Sequence, residues 1–283
     1  MSNLNEQIQK LPSISDTLKE HGFFTKKNLG QNFIFDLNVT SKIVRHSGDL
    51  KGRVVIEIGP GVGSLSRPIL MNNPEKLIVI EKDDRTLPIL GKLKEIAGDK
   101  LEIISDDALN IDYRKIKEQY GKPLKIIANL PYNVGTELLL RWLDDIDIFE
   151  SLTLMFQLEV AERICAKPSD EHYGRLSIIA DLLCDCKIQF DVAPTVFFPQ
   201  PKVYSAIVSI IPRAEPKYKV DMQKLKNLTR HAFSQRRKSI RNSLKPAFPN
   251  DDVEEILKKL NIDSDLRSEN LTVEQFCQLA NLT

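Results

Sequence analysis

The amino-acid sequence predicts an α/β fold, in which a doubly wound, mostly parallel sheet is followed by a smaller α-helical domain. Three observations support this prediction. Between residues 54 and 211, short apolar runs rich in β-branched residues alternate with helical patterns, which is typical of βαβ units. A glycine-rich turn follows the first of these runs, as it does in nucleotide-binding sheets. Beyond about residue 220 the strand-like runs stop while helical periodicity continues.

The first run, 54–58, is predicted to be a buried strand that ends at a turn with the sequence Gly-Pro-Gly-Val-Gly. The dinucleotide fingerprint spaces its glycines as G-x-G-x-x-G, whereas here the third glycine comes one residue early. Pro60 also lacks the backbone N–H that a pyrophosphate site would use. We therefore expect Gly59 and Gly61 to let the backbone approach a nucleoside closely, although an ordinary βα turn has a similar composition.

Carboxylates follow the next two predicted strands. The strand at 77–80 ends at Glu81, about 20 residues past the glycines, where a doubly wound fold presents an acid to ribose hydroxyls. The strand at 101–104 ends before Asp106 and Asp107, one of which could accept a hydrogen bond from an adenine amine or could instead cap the following turn. Because the carboxyl ends of parallel strands meet at one edge of the sheet, these acids are predicted to share a crevice.

A fourth strand leads into the turn Asn129-Leu130-Pro131-Tyr132. The exocyclic amine of adenine is a poor nucleophile, so a site that alkylates it needs acceptors for both amine hydrogens. The Asn129 side-chain oxygen and the Leu130 carbonyl could be those acceptors, and Tyr132 offers a flat face for an unstacked base. The alternative is a plain strand-to-loop turn, since Asn-x-Pro is common turn chemistry.

The remaining predicted elements are the other strands of the sheet and the helices that accompany them. Helices are predicted around 38–46, 136–142, 160–166 and 176–183, and strands at 152–157, 187–192 and 205–210. The proline-rich stretch 212–216 is predicted to be a linker. The expected domains are therefore a mobile leader (1–20), a catalytic domain (21–212) and a C-terminal helical domain (217–283).

With these motifs the chain resembles the ribosomal RNA adenine dimethyltransferases. Bacterial members of that family modify two adjacent adenosines in a hairpin near the 3′ end of small-subunit (16S) rRNA. The resemblance runs from about Lys26 to the C-terminus and includes a departure at Ser268, more often Ala, and at Tyr204, more often Asp. Its further motifs lie at 27–33, 173–177, 197–203, 235–238 and 267–271.

The resemblance implies a Rossmann-like class I methyltransferase sheet that uses S-adenosyl-L-methionine and needs no metal. It implies that Asn129 and Tyr132 hold the target base, with Phe197 facing Tyr132 from the other side. It also implies dimethylation of both adenosines during biogenesis of the 30S subunit, so the expected partners are small-subunit rRNA and the immature 30S particle. The implied donor contacts are Asn32, Ile34, Gly59, Glu81, Asp107 and Asn129.

Basic residues concentrate near the start of the predicted C-terminal domain, although the net charge of the chain is only +1. No acid lies between Arg230 and Lys245, and the apolar residues of this segment are spaced to share one helical face. A basic face can meet several phosphates, whereas the alternative is a solvated charged surface. The predicted RNA contacts are Arg236, Arg237, Lys238 and Arg241, extended by Lys26 and Lys27.

Composition predicts the compartment. The four cysteines show no metal or disulfide spacing, no apolar stretch reaches transmembrane length, and the first 20 residues are polar. We therefore expect a cytoplasmic monomer with no membrane partner.

Other functions stay open on the sequence alone. A DNA adenine methyltransferase uses a similar turn, but the long specificity domain that such enzymes often carry is missing. An enzyme acting on large-subunit rRNA would share the fold, although the stretches 173–177 and 267–271 favour the small-subunit type. A non-catalytic RNA-binding assembly factor would not need to keep the glycine turn, Glu81 and Asn129 together. The glycine spacing argues against a nicotinamide dehydrogenase.

Overall fold

A computed structural model describes residues 4–22 and 32–283 of the chain. These residues form two compact units. The first contains the described residues up to Ala161 together with Lys187–Pro212, and the second contains Glu162–Cys186 together with Arg213–Thr283. The strands are β1 (Phe33–Ile34), β2 (Val54–Ile58), β3 (Lys76–Glu81), β4 (Leu101–Ser105), β5 (Leu124–Asn129), β6 (Phe149–Gln157), β7 (Cys184–Val192), β8 (Phe197–Phe198) and β9 (Ser205–Pro212).

The four helices whose bounds were predicted begin within two residues of their predicted positions. Several helices start at an aspartate whose carboxylate accepts a backbone N–H of the first turn, as Asp36 does from Asn38 at 2.8 Å. The helices are α1 (Leu4–Gln9), α2 (Ile14–Glu20), α3 (Leu37–His46), α4 (Ser66–Met71), α5 (Leu87–Ala97), α6 (Tyr113–Tyr120), α7 (Gly135–Asp144), α8 (Leu158–Cys165), α9 (Arg175–Leu183), α10 (Met222–Ser234), α11 (Ile240–Ser243), α12 (Val253–Lys259) and α13 (Val273–Ala280).

The main sheet has the strand order β4-β3-β2-β5-β6-β9-β7. Strand β2 pairs in parallel with β3 on one side and β5 on the other, so Ile56 lies between Ile78 and Ile126. All five residues of β2 are buried, which explains why its sequence is apolar and β-branched except at Glu57. Strand β9 runs antiparallel to β6 and forms part of the antiparallel end of the sheet.

The strand order reverses between β2 and β5. The chain adds β3 and β4 on one side of β2 and then crosses to add β5 on the other side. In open α/β sheets, ligands bind outside the carboxyl ends of the strands at such a switch point. Gly59 follows β2 directly and Asn129 ends β5, so the predicted donor loop and the predicted base-binding turn meet there.

The prediction of a mobile leader is wrong for the described part of residues 1–20. Helices α1 and α2 occupy this stretch, and Ile8, Ile14 and Leu18 are buried. The Arg67 guanidinium donates to the Pro12 carbonyl at 2.6 Å and fixes the start of α2. The few apolar residues of a polar leader are spaced to face the body of the unit, and this spacing outweighs the average polarity.

The second unit is helical, as predicted, but it is not one continuous stretch of sequence. Residues 162–186 were expected in the catalytic domain, whereas they group with the C-terminal helices. The Ser169 N–H donates to the Glu269 carbonyl at 2.8 Å, and Arg236 donates to the Tyr173 carbonyl at 3.4 Å. Ser268, one of the departures from the family pattern, is buried and donates its hydroxyl to the Ala232 carbonyl at 2.6 Å, so the fold accommodates the extra oxygen.

The basic segment does not form the single helical face that its spacing predicts. Helix α10 ends at Ser234, and α11 begins only at Ile240. Between them, Ser239 forms an isolated bridge with Arg267, and the Ile240 N–H donates to the Leu266 carbonyl at 2.6 Å. This tertiary pairing takes the backbone donors that a continuous helix would use, so Arg236, Arg237 and Lys238 lie on a turn, whereas Arg241 lies in α11.

None of the described helices has the length and apolar character needed to cross a bilayer. Within the same residues no group of three or more histidines, cysteines, aspartates and glutamates is arranged to hold a metal ion. All four cysteines are free thiols.

The docking of α2 is testable by truncating Ile14. Ile14→Ala removes a buried side chain and should lower the free energy of unfolding by about 2–4 kcal/mol, measured by urea denaturation. Leu140→Ala, at an exposed position of the first unit, serves as the control. An Ile14 variant as stable as the control would mean that the leader is not packed in solution.

Candidate active site

A crevice of about 200 Å³ lies at the carboxyl ends of β2 to β5, in the first unit. Every residue predicted to contact the methyl donor lines it, and so does the turn after β5. The sequence-predicted residues in its wall are Asn32, Ile34, Gly59, Gly61, Glu81, Asp107, Asn129, Leu130 and Tyr132.

The glycine turn owes its shape to positive backbone angles that other residues rarely adopt. Gly61 has φ +55°, and a Cβ added there would lie 2.5 Å from Cε1 of Phe33. Gly59 has φ +63° and packs close to the Pro131 ring. Main-chain atoms therefore form this part of the crevice wall, and any larger residue at Gly61 would displace Phe33.

Glu81 is buried at the end of β3, and two backbone N–H groups hold its carboxylate. Gly61 donates to Oε2 at 3.0 Å and Asp83 donates to Oε1 at 2.7 Å. Burial raises the pKa of Glu81, and these backbone hydrogen bonds act in the opposite direction. Each oxygen keeps a further lone pair, so the fixed carboxylate can accept from a ribose diol.

Glu57 also lines the crevice, although it was not among the site residues predicted from the sequence. It is buried in β2 and accepts a hydrogen bond from the Ser66 hydroxyl at 2.6 Å. Burial, reinforced by the nearby charge of Glu81, raises its pKa to about 8, although the Ser66 bond lowers it. Glu57 is therefore mostly a neutral acid at pH 7. A carboxylate inside an otherwise apolar strand was the sequence signal for it.

Asp107 remains ionised at the end of β4. Its Oδ2 accepts from Lys82 at 2.7 Å and its Oδ1 from the Leu109 N–H at 3.0 Å, and these bonds lower its pKa. Asp107 therefore caps the following turn and also lines the crevice, so a contact with an adenine amine stays a prediction.

The orientation of the Asn129 amide is fixed. Its Nδ2 donates to the Asn32 carbonyl at 3.0 Å, which leaves Oδ1 without a donor in the part of the chain that the structure describes. The Leu130 carbonyl likewise has no donor among the described turn and loop hydrogen bonds, whereas the Pro131 carbonyl accepts from Val134 and Gly135 at the start of α7. Two acceptors are thus available side by side.

Tyr132 follows these acceptors, and its ring is held through its hydroxyl. The phenol oxygen lies 2.7 Å from the Ser205 hydroxyl at the start of β9. Burial raises the pKa of Tyr132, so the phenol stays neutral and available for hydrogen bonding.

The structure does not bring Phe197 to the crevice wall. Phe197 is only 5% exposed and belongs to the core cluster with Ile34 and Ile207. The reason is its register, because Phe197 pairs with Ile34 in the β1–β8 ribbon and faces the core. The neighbouring Phe198 faces the other way and is exposed. A clamp between Phe197 and Tyr132 stays a prediction that this arrangement does not support.

The predicted RNA contacts differ in how far their charges are already used within the second unit. Arg236 donates to the Glu171 carbonyl at 3.0 Å, and Arg241 pairs with Asp265 at 3.1 Å. Arg237 and Lys238 are exposed and have no side-chain partner in the described residues. Lys26 and Lys27 lie outside the described residues.

Comparison with known proteins shows which family the chain belongs to. The sequence family described as ribosomal RNA adenine dimethylase matches residues 22–283. The chain belongs to this family. It is 48% identical over 256 residues to the ribosomal RNA small subunit methyltransferase A of Ehrlichia chaffeensis, covering 90% of this chain and 95% of that relative. It is 45% identical over 273 residues to the protein of the same name from Chelativorans sp., covering 95% and 97%.

A solved structure supports the same conclusion. The fold is similar to the crystal structure of a dimethyladenosine transferase from Plasmodium falciparum, with a TM-score of 0.74 and 27% identity over 87% of this chain and 95% of that one. The predicted class I methyltransferase fold and the predicted enzyme family are therefore confirmed, and a non-catalytic assembly factor fits less well.

The protonation of Glu57 can be tested through stability. The unfolded chain releases this proton near pH 4.5, whereas the folded protein holds it up to about pH 8. The folded state binds more protons in this window, so the group's contribution to the free energy of unfolding falls as the pH rises through it, by roughly 3–5 kcal/mol.

Glu57→Gln keeps the shape and removes the titration. Relative to the native chain, this variant should gain stability between pH 5 and pH 8 in urea denaturation, with the exposed Glu118→Gln as the control. A difference between Glu57→Gln and the native chain that does not change with pH would show that Glu57 is ionised in the folded state.

Proposed function

We propose that this protein transfers methyl groups from S-adenosylmethionine to the 6-amino groups of two adjacent adenosines in the 3′-terminal hairpin of small-subunit rRNA. The substrate is the immature 30S subunit, and the enzyme acts as a cytoplasmic monomer. The observation that carries the proposal is the fixed amide of Asn129, which leaves Oδ1 available beside the Leu130 carbonyl. The names of its relatives support the choice of small-subunit rRNA.

The residues present fit S-adenosylmethionine. Main-chain atoms form the wall at Gly61, where a side chain would collide with Phe33, so a nucleoside can lie close to the backbone. The buried carboxylate of Glu81 suits the ribose diol, and the ionised Asp107 can accept from an adenine amine. Asn32 and Ile34 close the side that leads to Asn129. When bound, this cofactor supplies a methyl group that is already activated for transfer.

The protein's own contribution is orientation and electrostatics. The Asn129 Oδ1 and the Leu130 carbonyl accept the two hydrogens of the target amine. These hydrogen bonds reduce the delocalisation of the amine lone pair into the ring and direct that lone pair into the crevice. Tyr132, held by Ser205, stacks on the extruded base. Asn129 cannot act as a base near neutral pH, and the methylated amine is acidic enough to release its proton to water.

Labelled donor tests the function directly. Immature small subunits are incubated with the protein and methyl-labelled S-adenosylmethionine, and the RNA is digested to nucleosides. Label in dimethyladenosine from the 3′ segment is expected. Label found only in large-subunit rRNA or in duplex DNA would overturn the proposal in favour of one of those substrates.

The role of Asn129 predicts a separation between turnover and donor binding. Asn129→Ala removes an acceptor that acts on the amine and should lower kcat by about 100- to 1000-fold. It also loses the hydrogen bond to the Asn32 carbonyl, so the donor Kd measured by calorimetry should rise, but by a smaller factor than kcat falls. Asn129→Asp keeps an acceptor but sets a carboxylate oxygen against the Asn32 carbonyl, so it should raise the donor Kd more than Asn129→Ala does. Donor binding that collapses with turnover in Asn129→Ala would contradict the role.

Whether a cation is already paired within the second unit predicts whether it binds phosphate. Arg237→Gln or Lys238→Gln should each reduce the slope of log Kd against log salt for immature small subunits by roughly one unit. Arg241→Gln is the matched comparison, because Arg241 is already paired with Asp265 and Glu254. Equal slopes for all three variants would show that pairing within the protein does not decide which cations bind phosphate.

A further inference from the structure

An exposed aromatic patch lies beside the crevice, at the end of β8 and on the loop that leads to β9. Phe198 and Tyr204 are each 54% exposed, and Val203 between them is 45% exposed. Among the described residues few large apolar side chains are so accessible, and these three come from one short stretch. Clustered exposed apolar groups mark interaction sites more often than scattered ones do.

The patch is attached to the crevice at both of its ends. At one end Phe198 pairs with Phe33, whose neighbours in the crevice wall are Asn32 and Ile34. At the other end, Ser205 follows Tyr204 directly and contacts the hydroxyl of Tyr132. The loop therefore starts beside the wall of the crevice and ends against the residue that stacks on the target base.

The ring of Phe198 is supported from one side and open on the other. Phe35 stacks against it with ring centroids 5.5 Å apart and an interplanar angle of 27°. The Phe35 N–H is in turn directed at the Val196 carbonyl at 3.5 Å. A flat ring held in this way loses little side-chain entropy when another flat group stacks on it.

The charge of the loop complements a nucleic acid. Lys202 lies between Phe198 and Tyr204, is exposed, and has no side-chain partner among the described residues. An aromatic face next to a free cation is the arrangement that binds single-stranded nucleotides, through base stacking and phosphate contact.

We propose that Phe198, supported by Phe35, stacks on the unpaired base next to the target adenosine, while Lys202 meets the phosphate beside it. This inference rests on the proposed function and names a further feature of its substrate. Extrusion of the target base leaves its neighbour without a stacking partner, and the exposed ring replaces that partner. Because the two target adenosines are adjacent, each serves as the neighbour of the other.

The test couples a protein variant to an RNA change. Two abasic substrates are prepared from immature small subunits that carry a synthetic 3′ RNA segment. In each of them a different one of the two adenosines is replaced by an abasic residue. For the native protein, at least one abasic substrate should lower kcat/KM at the remaining adenosine by roughly 5- to 100-fold. Phe198→Ala should lower kcat/KM on intact subunits by a similar factor and should lose nothing further on that abasic substrate.

Further variants separate stacking from apolar contact. Phe198→Tyr keeps a flat face and should retain activity, whereas Phe198→Leu is apolar without a ring and should resemble Phe198→Ala. Ile211→Ala, at a half-exposed position near the end of β9, should leave activity unchanged. The donor Kd should be the same for all of them.

Several outcomes would overturn the inference. If Phe198→Ala and the abasic residue each lower kcat/KM and their factors multiply when they are combined, the two changes act independently. Phe198 would then contact a ribosomal protein or another RNA segment. If Phe198→Ala were as active as the native protein, the proposed contact of Phe198 would be contradicted. Failure of the native protein to methylate intact small subunits is a separate result, because it would overturn the proposed function itself.

Discussion

The hydrogen bond from the Asn129 amide to the Asn32 carbonyl is the contact on which the arrangement of the crevice depends. It joins the end of β5 to the segment 32–34, which also covers the glycine turn through Phe33. The same hydrogen bond therefore holds the wall that contacts the methyl donor and the acceptor for the target base. Asparagine suits this position because it donates with one atom and accepts with another, so a single rotamer fixes the wall and presents the acceptor at the same time. An ionised aspartate accepts only, so it cannot replace asparagine in this role.

The three acids of the crevice differ in charge because their surroundings differ. Asp107 is partly exposed and bonded to Lys82, which lowers its pKa. Glu81 is buried but held by backbone N–H groups, and Glu57 is buried with only a hydroxyl as its described side-chain partner. Burial disfavours the charged form of Glu57 most, and the nearby charge of Glu81 adds to this effect, so Glu57 keeps its proton near neutral pH. The crevice thus offers an ionised acceptor at the β4 end and a neutral acid beneath the glycine turn.

Sequence reasoning predicted those parts of the site that lie next to a regular strand. Gly59, Glu81, Asp107 and Asn129 each come at or just past the end of a mostly apolar strand, so chain order alone placed them at one edge. It failed where a long-range contact decides the local structure. The pairing of Ser239 with Arg267 breaks the basic helix, and the burial of Ile14 orders the leader. Neither contact leaves a periodic signal in the segment that it reorganises.

The two phenylalanines of β8 show how strictly the ribbon determines function. Successive residues of a strand face opposite sides, so a register in which Ile34 pairs with Phe197 sends that ring into the core and its neighbour to the surface. A shift of one residue in β8 would exchange them, so Phe198 would enter the core and Phe197 would lie at the surface. Because β1 carries Phe33 over Gly61, a shift of β1 would instead move the cover of the glycine turn. The register of this short ribbon therefore couples the donor side of the crevice to the surface beside it.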